Sequence, residues 1–455
     1  MYLIYSFLLT LGFLILLPRF AIDAFRSGKY ITGIGERLGK IPAPDPTRGP
    51  VIWLHCVSVG ETEAARPLVR ALRERLPGHQ LVISTTTVTG QQVARQAFSR
   101  EAAAIFYFPI DWSWTVRRVL RALHPSAVLI METELWPNLL RECRRRSIPV
   151  ALVNGRISPK SYRRYQRIRG FMRQVFQGLA VALMQSDEDA NRIAKLGLPA
   201  VRIRTLGNLK FDNVDLPADL STVALDLHQR FDVNAARPLI VAASTHSPEE
   251  SLVIQAFKKI RQTPKGKESR LLIAPRHPER FDQVAKIITD SGFTWARRSS
   301  PPAPSDATSE IILLDSIGEL RLTFQLAQIA FIGGSLIPHG GQNVLEPAAQ
   351  GVCVITGAHT QNFATIIRAL LAAAALIQLP PVSLVEAPAK LADAFGELLS
   401  DEGKRKAVGT RAQNVCAQSR GATDRTIEII ADLVAPRVAI GEGVSLSPVQ
   451  LTSAK

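Results

Sequence analysis

The chain has 455 residues, 46% of them hydrophobic and 21% charged, which describes a folded protein of two or three domains and argues against a disordered one. Its 55 Lys and Arg against 39 Asp and Glu leave a net charge of +16, so an anionic partner is expected: nucleic acid, an acidic membrane or an acidic substrate. Cys56, Cys143, Cys353 and Cys416 lie far apart with no CxxC pair, which argues against a disulfide framework and a zinc site and fits a reducing compartment.

The chain opens on "MYLIYSFLLTLGFLILLPRF", with no side-chain charge before Arg19. It lacks the basic start and small-residue cleavage site of a signal peptide. About 20 apolar residues suffice to cross a bilayer, and Arg19, Arg26, Lys29 and Arg37 follow, so residues 1–22 are expected to form a membrane anchor with the rest of the chain in the cytoplasm. A buried core helix is the alternative.

From residue 50 the runs "VIWLHCVSV", "LVISTTTV", "AIFYFP", "AVLIMETE", "VALVN", "LAVALMQS" and "VRIRTLGN" alternate with helical stretches such as "EAARPLVRALRERL". Runs apolar throughout and spaced by helices predict parallel strands covered on both faces, the doubly wound α/β pattern, over residues 45–215. The regularity breaks over 216–236, read as a linker. "PLIVAAST", "SRLLIAPRH", "EIILLDS", "IAFIGGS" and "GVCVITG" then predict a second α/β domain over 237–432, followed by a tail of low structural content at 436–455. Two such domains in tandem are expected to set a cleft between the carboxyl ends of their sheets.

Several residues in these strand ends could carry chemistry. Glu61 of "CVSVGETEA" falls in the first turn of a helix after a strand, where it can accept a proton from a hydroxyl or simply cap its helix behind Ser58. Glu63 reads as an ordinary first-turn acid. Glu132 and Glu134 of "METELWPNLL" differ by two residues and reach the sheet's carboxyl edge, where open α/β folds bind ligands. "NGRISPKSYRRYQRIRG", after "RECRRRS", is basic with almost no acids and suits phosphates or lipid headgroups; no nucleic-acid-binding motif accompanies it. Lys210 of "LGNLKFD" could neutralise a phosphate or carboxylate. Arg276 and His277 follow a buried strand, the amides of Gly318 and Glu319 open a helix, and Asn343 and Glu346 follow the glycines of "FIGGSLIPHGGQNVLEPAAQGVCVITG". Neither a Walker A lysine nor a strand-bound GxGxxG is present, which argues against ATP hydrolysis and NAD chemistry.

"SVGE", "METELWPN", "LKFD", "STH", "PRHPERF", "GELR" and "GGxNxLEPAAxG…GxHTxNF", in this order over roughly residues 30–420, resemble the bacterial 3-deoxy-D-manno-octulosonic acid (Kdo) transferases. The resemblance implies the two-domain GT-B glycosyltransferase fold behind an N-terminal anchor, at the cytoplasmic face of the inner membrane. It implies transfer of Kdo from CMP-Kdo to the tetra-acylated lipid A precursor, in contact with anionic membrane lipids, without nucleic acid, cofactor or metal. The family's proton acceptor falls on Glu61, and its transition-state stabilising positions on Glu132 and Lys210. Its CMP contacts fall on Pro275, Arg276, Ile317, Gly318, Glu319, Asn343, Val344, Leu345 and Glu346. Gln342 stands where many relatives have His, and "VLEP" replaces "PLEA". A different GT-B enzyme, such as a UDP-sugar epimerase or a lipid disaccharide synthase, and a non-catalytic binding protein are the other readings.

Overall fold

The computed structural model describes residues 1–27, 33–214, 221–234 and 236–435. The expected tail lies outside them, as do Lys29, residues 216–220 of the expected linker and the side chains of Arg19 and Arg26. The chain divides into two compact units, Met1–Leu209 with Gly421–Lys455, and Lys210–Arg420.

The first unit is a seven-stranded sheet of β1 (Val51–His55), β2 (Gln80–Thr85), β3 (Ala104–Tyr107), β4 (Pro125–Met131), β5 (Val150–Gly155), β6 (Val181–Met184) and β7 (Ile203–Thr205), all paired in parallel. Its order is β3-β2-β1-β4-β5-β6-β7. Every residue of β1, β2 and β5 is buried, as strands covered on both faces require. The order reverses between β1 and β4, the switch point at which a doubly wound sheet leaves a crevice outside its carboxyl edge.

The second unit repeats the plan with β8 (Leu239–Thr245), β9 (Arg270–Pro275), β10 (Trp295–Arg297), β11 (Ile311–Leu313), β12 (Ala327–Ile332), β13 (Cys353–Thr356) and β14 (Ile377–Gln378), in the order β10-β11-β9-β8-β12-β13-β14. Its switch point falls between β8 and β12. The edge strands β10 and β14 were not among the runs predicted from the sequence: β10 is only partly buried and carries Arg297, and β14 has two half-buried residues, so neither forms an apolar run.

The predicted second domain runs to residue 432, but the last helix, Ala422–Val434, packs in the first unit. Its Ala422, Ile427 and Ile430 share a core with Leu68, Val69 and Leu72. Burying each isoleucine contributes about 1.5–3 kcal/mol, enough to fix where the helix docks.

Helix α1 (Tyr2–Ser27) opens the chain. Among the described residues no helix is long and apolar enough to cross a membrane, so a spanning anchor is not shown. Instead one stripe of α1 lies against the first unit. Tyr2 packs edge-on to Phe171 and Phe13 edge-on to Trp112, and Thr10 accepts a hydrogen bond from the Trp112 indole at 3.1 Å. The other face leaves Leu3, Ile4, Phe7, Leu8, Leu14 and Ile15 exposed.

Asp111 is the polar anchor of this contact. Its carboxylate accepts from Tyr5 Oη at 3.0 Å and from the amides of Asn138 and Leu139 at 2.9 and 2.8 Å. Burial pushes the carboxyl up to about 7, against the pull of those donors. A folded-state pKa above the unfolded one means stability that is present in acid and lost as pH rises through about 7. The melting temperature of an Asp111→Asn variant, which cannot ionise, is therefore expected to fall less between pH 5 and pH 8 than the parent's. An equal fall in both proteins would show that Asp111 does not titrate there.

Candidate active site

At the first unit's switch point, β1 leads through buried Cys56 and a tight turn into the helix Val59–Ala64. Ser58 is the N-cap in extended conformation, φ −128° and ψ 171°, but its hydroxyl makes no capping bond. Glu61 reaches back instead, and its Oε2 accepts the Val57 N–H at 2.7 Å. The capping bond holds the nearly buried carboxylate at the sheet edge, so the cap and a positioned proton acceptor are one arrangement. Glu63 pairs with Arg66 as an ordinary surface acid, at 2.5 and 2.8 Å.

The neighbouring strand β4 is followed directly by Glu132, whose φ of +52° puts a non-glycine residue in the left-handed region. That backbone costs of the order of 1–3 kcal/mol. Hydrogen bonds on both sides hold it there: its N–H donates to Val153 O at 2.9 Å and its carbonyl accepts from Arg156 at 3.3 Å. Buried Cys56 reports on both acids. Burial, and then the negative charges of Glu61 and of Glu132, push its thiol well above the usual range. The structure thus brings Glu61 and Glu132 to the two sides of one switch point. Glu134 is half-buried, and burial and the charge of Glu132 raise its pKa while Arg164 opposes them.

Lys210 lies in a short 3-10 turn, Leu209–Asn213, after β7, with its ammonium 5.5 Å from the Phe363 ring centroid. Asn154 at the end of β5, with φ +54°, receives the Leu209 N–H at 3.1 Å and so ties down the residue before the lysine.

In the second unit, the loop after β12 is fastened to the helix that follows β8, α2 (Glu249–Ile260), by one carboxylate. Glu249, fully buried, accepts four backbone N–H groups: His246 at 3.0 Å, Gly334 at 2.6 Å, and Ser335 and Leu336 at 3.0 Å each. The loop comes so close that a Cβ on Gly333 would lie 2.5 Å from Ser244 O and 2.6 Å from Thr245 Cα, and Gly334 has φ +65°. Only glycine fits this pair.

His246, at the end of β8, stacks on His339 with centroids 4.7 Å apart and meets His277 edge-on at 5.2 Å. Its Nε2 lies 3.0 Å from Gln342 Nε2. Burial, then the neighbouring imidazoles His339 and His277, push it down to about 4, so it is a neutral ring in neutral solution.

The predicted CMP positions lie on the same unit. Pro275 ends β9, and exposed Arg276 follows, its amide bonded to Thr245 O at 3.0 Å. Ile317 is 82% exposed. Burial alone would raise Glu319, but Arg298, at 3.0 and 3.2 Å, and Ser316 hold it below the usual carboxylate range; this side chain braces the turn. Asn343 bridges the next turn, accepting the Leu345 N–H at 3.0 Å and donating to Glu346 at 2.9 Å. Val344 and Leu345 are core residues, each 1% exposed, which leaves Asn343 and Glu346 as the side chains able to meet a ligand.

Sequence reasoning assigned no role to His246, Glu249 or Asn154. "STH" and the glycines mark the loop, but "SPEES" reads as any helix start. Among the described residues no group of three or more His, Cys, Asp or Glu is placed to hold a metal ion.

Residues 32–213 match the family model described as 3-deoxy-D-manno-octulosonic-acid transferase (kdotransferase). The chain is 33% identical over 411 residues to the 3-deoxy-D-manno-octulosonic acid transferase of Haemophilus influenzae, covering 89% of this chain and 92% of the relative. It is 35% identical over 396 residues to the enzyme of that name from Bordetella pertussis, covering 86% and 89%. In fold it is similar to a glycosyltransferase from Rickettsia africae, with TM-score 0.56 and 13% identity over 85% of this chain and 99% of that one. It is also similar to the UDP-GlcNAc 2-epimerase of Neisseria meningitidis, with TM-score 0.55 and 12% identity over 84% and 100%. The two structures speak for GT-B-like α/β units and not for the reaction.

Proposed function

Since the chain belongs to the Kdo transferase family, we propose that it moves Kdo from CMP-Kdo to a hydroxyl of the tetra-acylated lipid A precursor, by inverting transfer at the cytoplasmic face of the inner membrane. The observation that carries the chemistry is Glu61, held at the sheet edge by the Val57 N–H with Glu132 across the switch point.

In this reading Glu61 removes the proton from the acceptor hydroxyl as that oxygen attacks the anomeric carbon. As the bond to CMP breaks in that same step, the sugar develops positive, oxocarbenium-like charge, which the carboxylate of Glu132 offsets. CMP leaves from the opposite face, and the charges of Lys210 and Arg276 stabilise its phosphate. Asn343 and Glu346 meet the nucleoside, and the turn of Ile317, Gly318 and Glu319 supplies backbone contacts. A monophosphate leaving group has no diphosphate for a metal to chelate, and the reading needs no cofactor.

The exposed apolar face of α1 suits a helix lying in the bilayer surface. The helix Pro159–Arg167 exposes Arg163, Arg164 and Arg167 while Tyr162 and Tyr165 pack on the core, a surface for anionic lipid and the acceptor's phosphates. The test is product mass. Purified protein in detergent, given CMP-Kdo made in situ and the tetra-acylated precursor, is expected to add whole Kdo residues to it. A precursor left unmodified while a shorter acceptor gains Kdo would overturn the assignment of the acceptor.

A further inference from the structure

Between α1, the helix Ser113–Leu123 and the helix Pro137–Arg145 runs an open groove of about 690 Å³. Its walls divide by chemistry. Leu3, 80% exposed, and Trp114, 51% exposed, form an apolar rim; Trp114 stacks at 5.8 Å on Trp112, which α1 holds through Thr10 and Phe13. Arg117, Arg141 and Arg145 form the polar wall.

The charge there is unbalanced. Glu142, its side chain 2% exposed, is shared among Arg117 at 3.1 Å, Arg145 at 3.2 Å and Arg146 at 2.8 Å. Arg141 sits over the Tyr2 ring, 4.9 Å from its centroid, and lines a second groove of about 350 Å³ together with Arg144 and Arg145. Three guanidiniums therefore share one buried glutamate, Arg141 and Arg144 add two more charges along the second groove, and Asp111 is already engaged by Tyr5 and two amides. Arginine forks bind phosphate oxygens in pairs.

We propose that this groove holds one anionic phospholipid, its phosphate on Arg141, Arg145 and Arg117 and an acyl chain along Leu3 and Trp114. The proposal rests on the membrane-surface reading of α1. A free phosphate would use the arginines and leave the apolar rim idle. A neutral lipid would use the rim and leave the charge excess unanswered. The site would make docking of α1 depend on lipid composition, because helix and domain each contribute one wall.

The experiment uses the full chain in neutral detergent micelles doped with phosphatidylglycerol carrying brominated acyl chains, which quench tryptophan on contact. Association with the micelle is then the same for every variant. Saturable quenching is expected with brominated phosphatidylglycerol and much less with brominated phosphatidylcholine. Trp114→Phe should lose most of it. An Arg141→Gln, Arg145→Gln double variant should need about 10- to 30-fold more lipid, at about a factor of five for each arginine.

Equal quenching by the two lipids, quenching that survives Trp114→Phe, or displacement by inorganic phosphate at matching concentration would each overturn the proposal. Kdo transfer by the same preparation is measured alongside. Transfer without selective quenching removes the lipid site and leaves the proposed function standing; selective quenching without transfer does the reverse.

Discussion

A Glu61→Gln enzyme is expected to fold normally and to transfer Kdo at least 100-fold more slowly, and up to about 10⁴-fold, with little change in KM for CMP-Kdo. The substitution keeps the carbonyl oxygen that accepts the Val57 N–H, so the turn after β1 stays in place. It removes the ability to take a proton. The effect therefore belongs to kcat, whereas a capping role alone would appear as lost stability at normal rate. Steady-state kinetics with a melting curve on the same preparation separates the two. An unimpaired rate would remove Glu61 from the chemistry.

Glu249→Ala is expected to be the costliest substitution in the second unit. Four amides lose their common acceptor at once in a site closed to solvent. An orphaned buried donor costs about 1–3 kcal/mol; relaxation and water entry keep four of them from adding fully, so about 3–5 kcal/mol is expected. At ~2–4 °C per kcal/mol for a unit of this size, the melting temperature should fall by about 10 °C. Glu249→Gln retains an acceptor oxygen and should fall between the two. CMP affinity should weaken in both variants, because the freed loop runs from Gly333 towards Asn343 and Glu346. Calorimetric melting and CMP titration check this; a parental melting temperature in the alanine variant would show that the loop does not need its carboxylate.

Much of this was legible in the sequence because parallel strands are buried on both faces. Twelve of the fourteen strands announce themselves as apolar runs ending in polar residues, and those ends bring Glu61, Glu132 and Arg276 to the edge of their sheets. What stayed hidden depends on contacts distant in the chain. The last helix looked like the end of the second domain, since nothing in its sequence names Leu68 and Leu72 as its partners. Glu249 looked like a first-turn acid because three of the four amides it gathers lie 85 to 87 residues further on. The left-handed backbone of Glu132 has no signature in a residue type that seldom adopts it. On α1 the sequence shows an apolar helix but not which face the domain takes.

Two statements stand or fall together: this protein consumes CMP-Kdo, and Glu61 makes it do so. The most direct measurement follows CMP release and product mass together, for the parent and for Glu61→Gln, with CMP-Kdo and with UDP-sugars as donors. In the parent, CMP release is expected to be matched one for one by added Kdo, with a trace in the variant and nothing from UDP-sugars. Turnover of a UDP-sugar with CMP-Kdo left intact would contradict it.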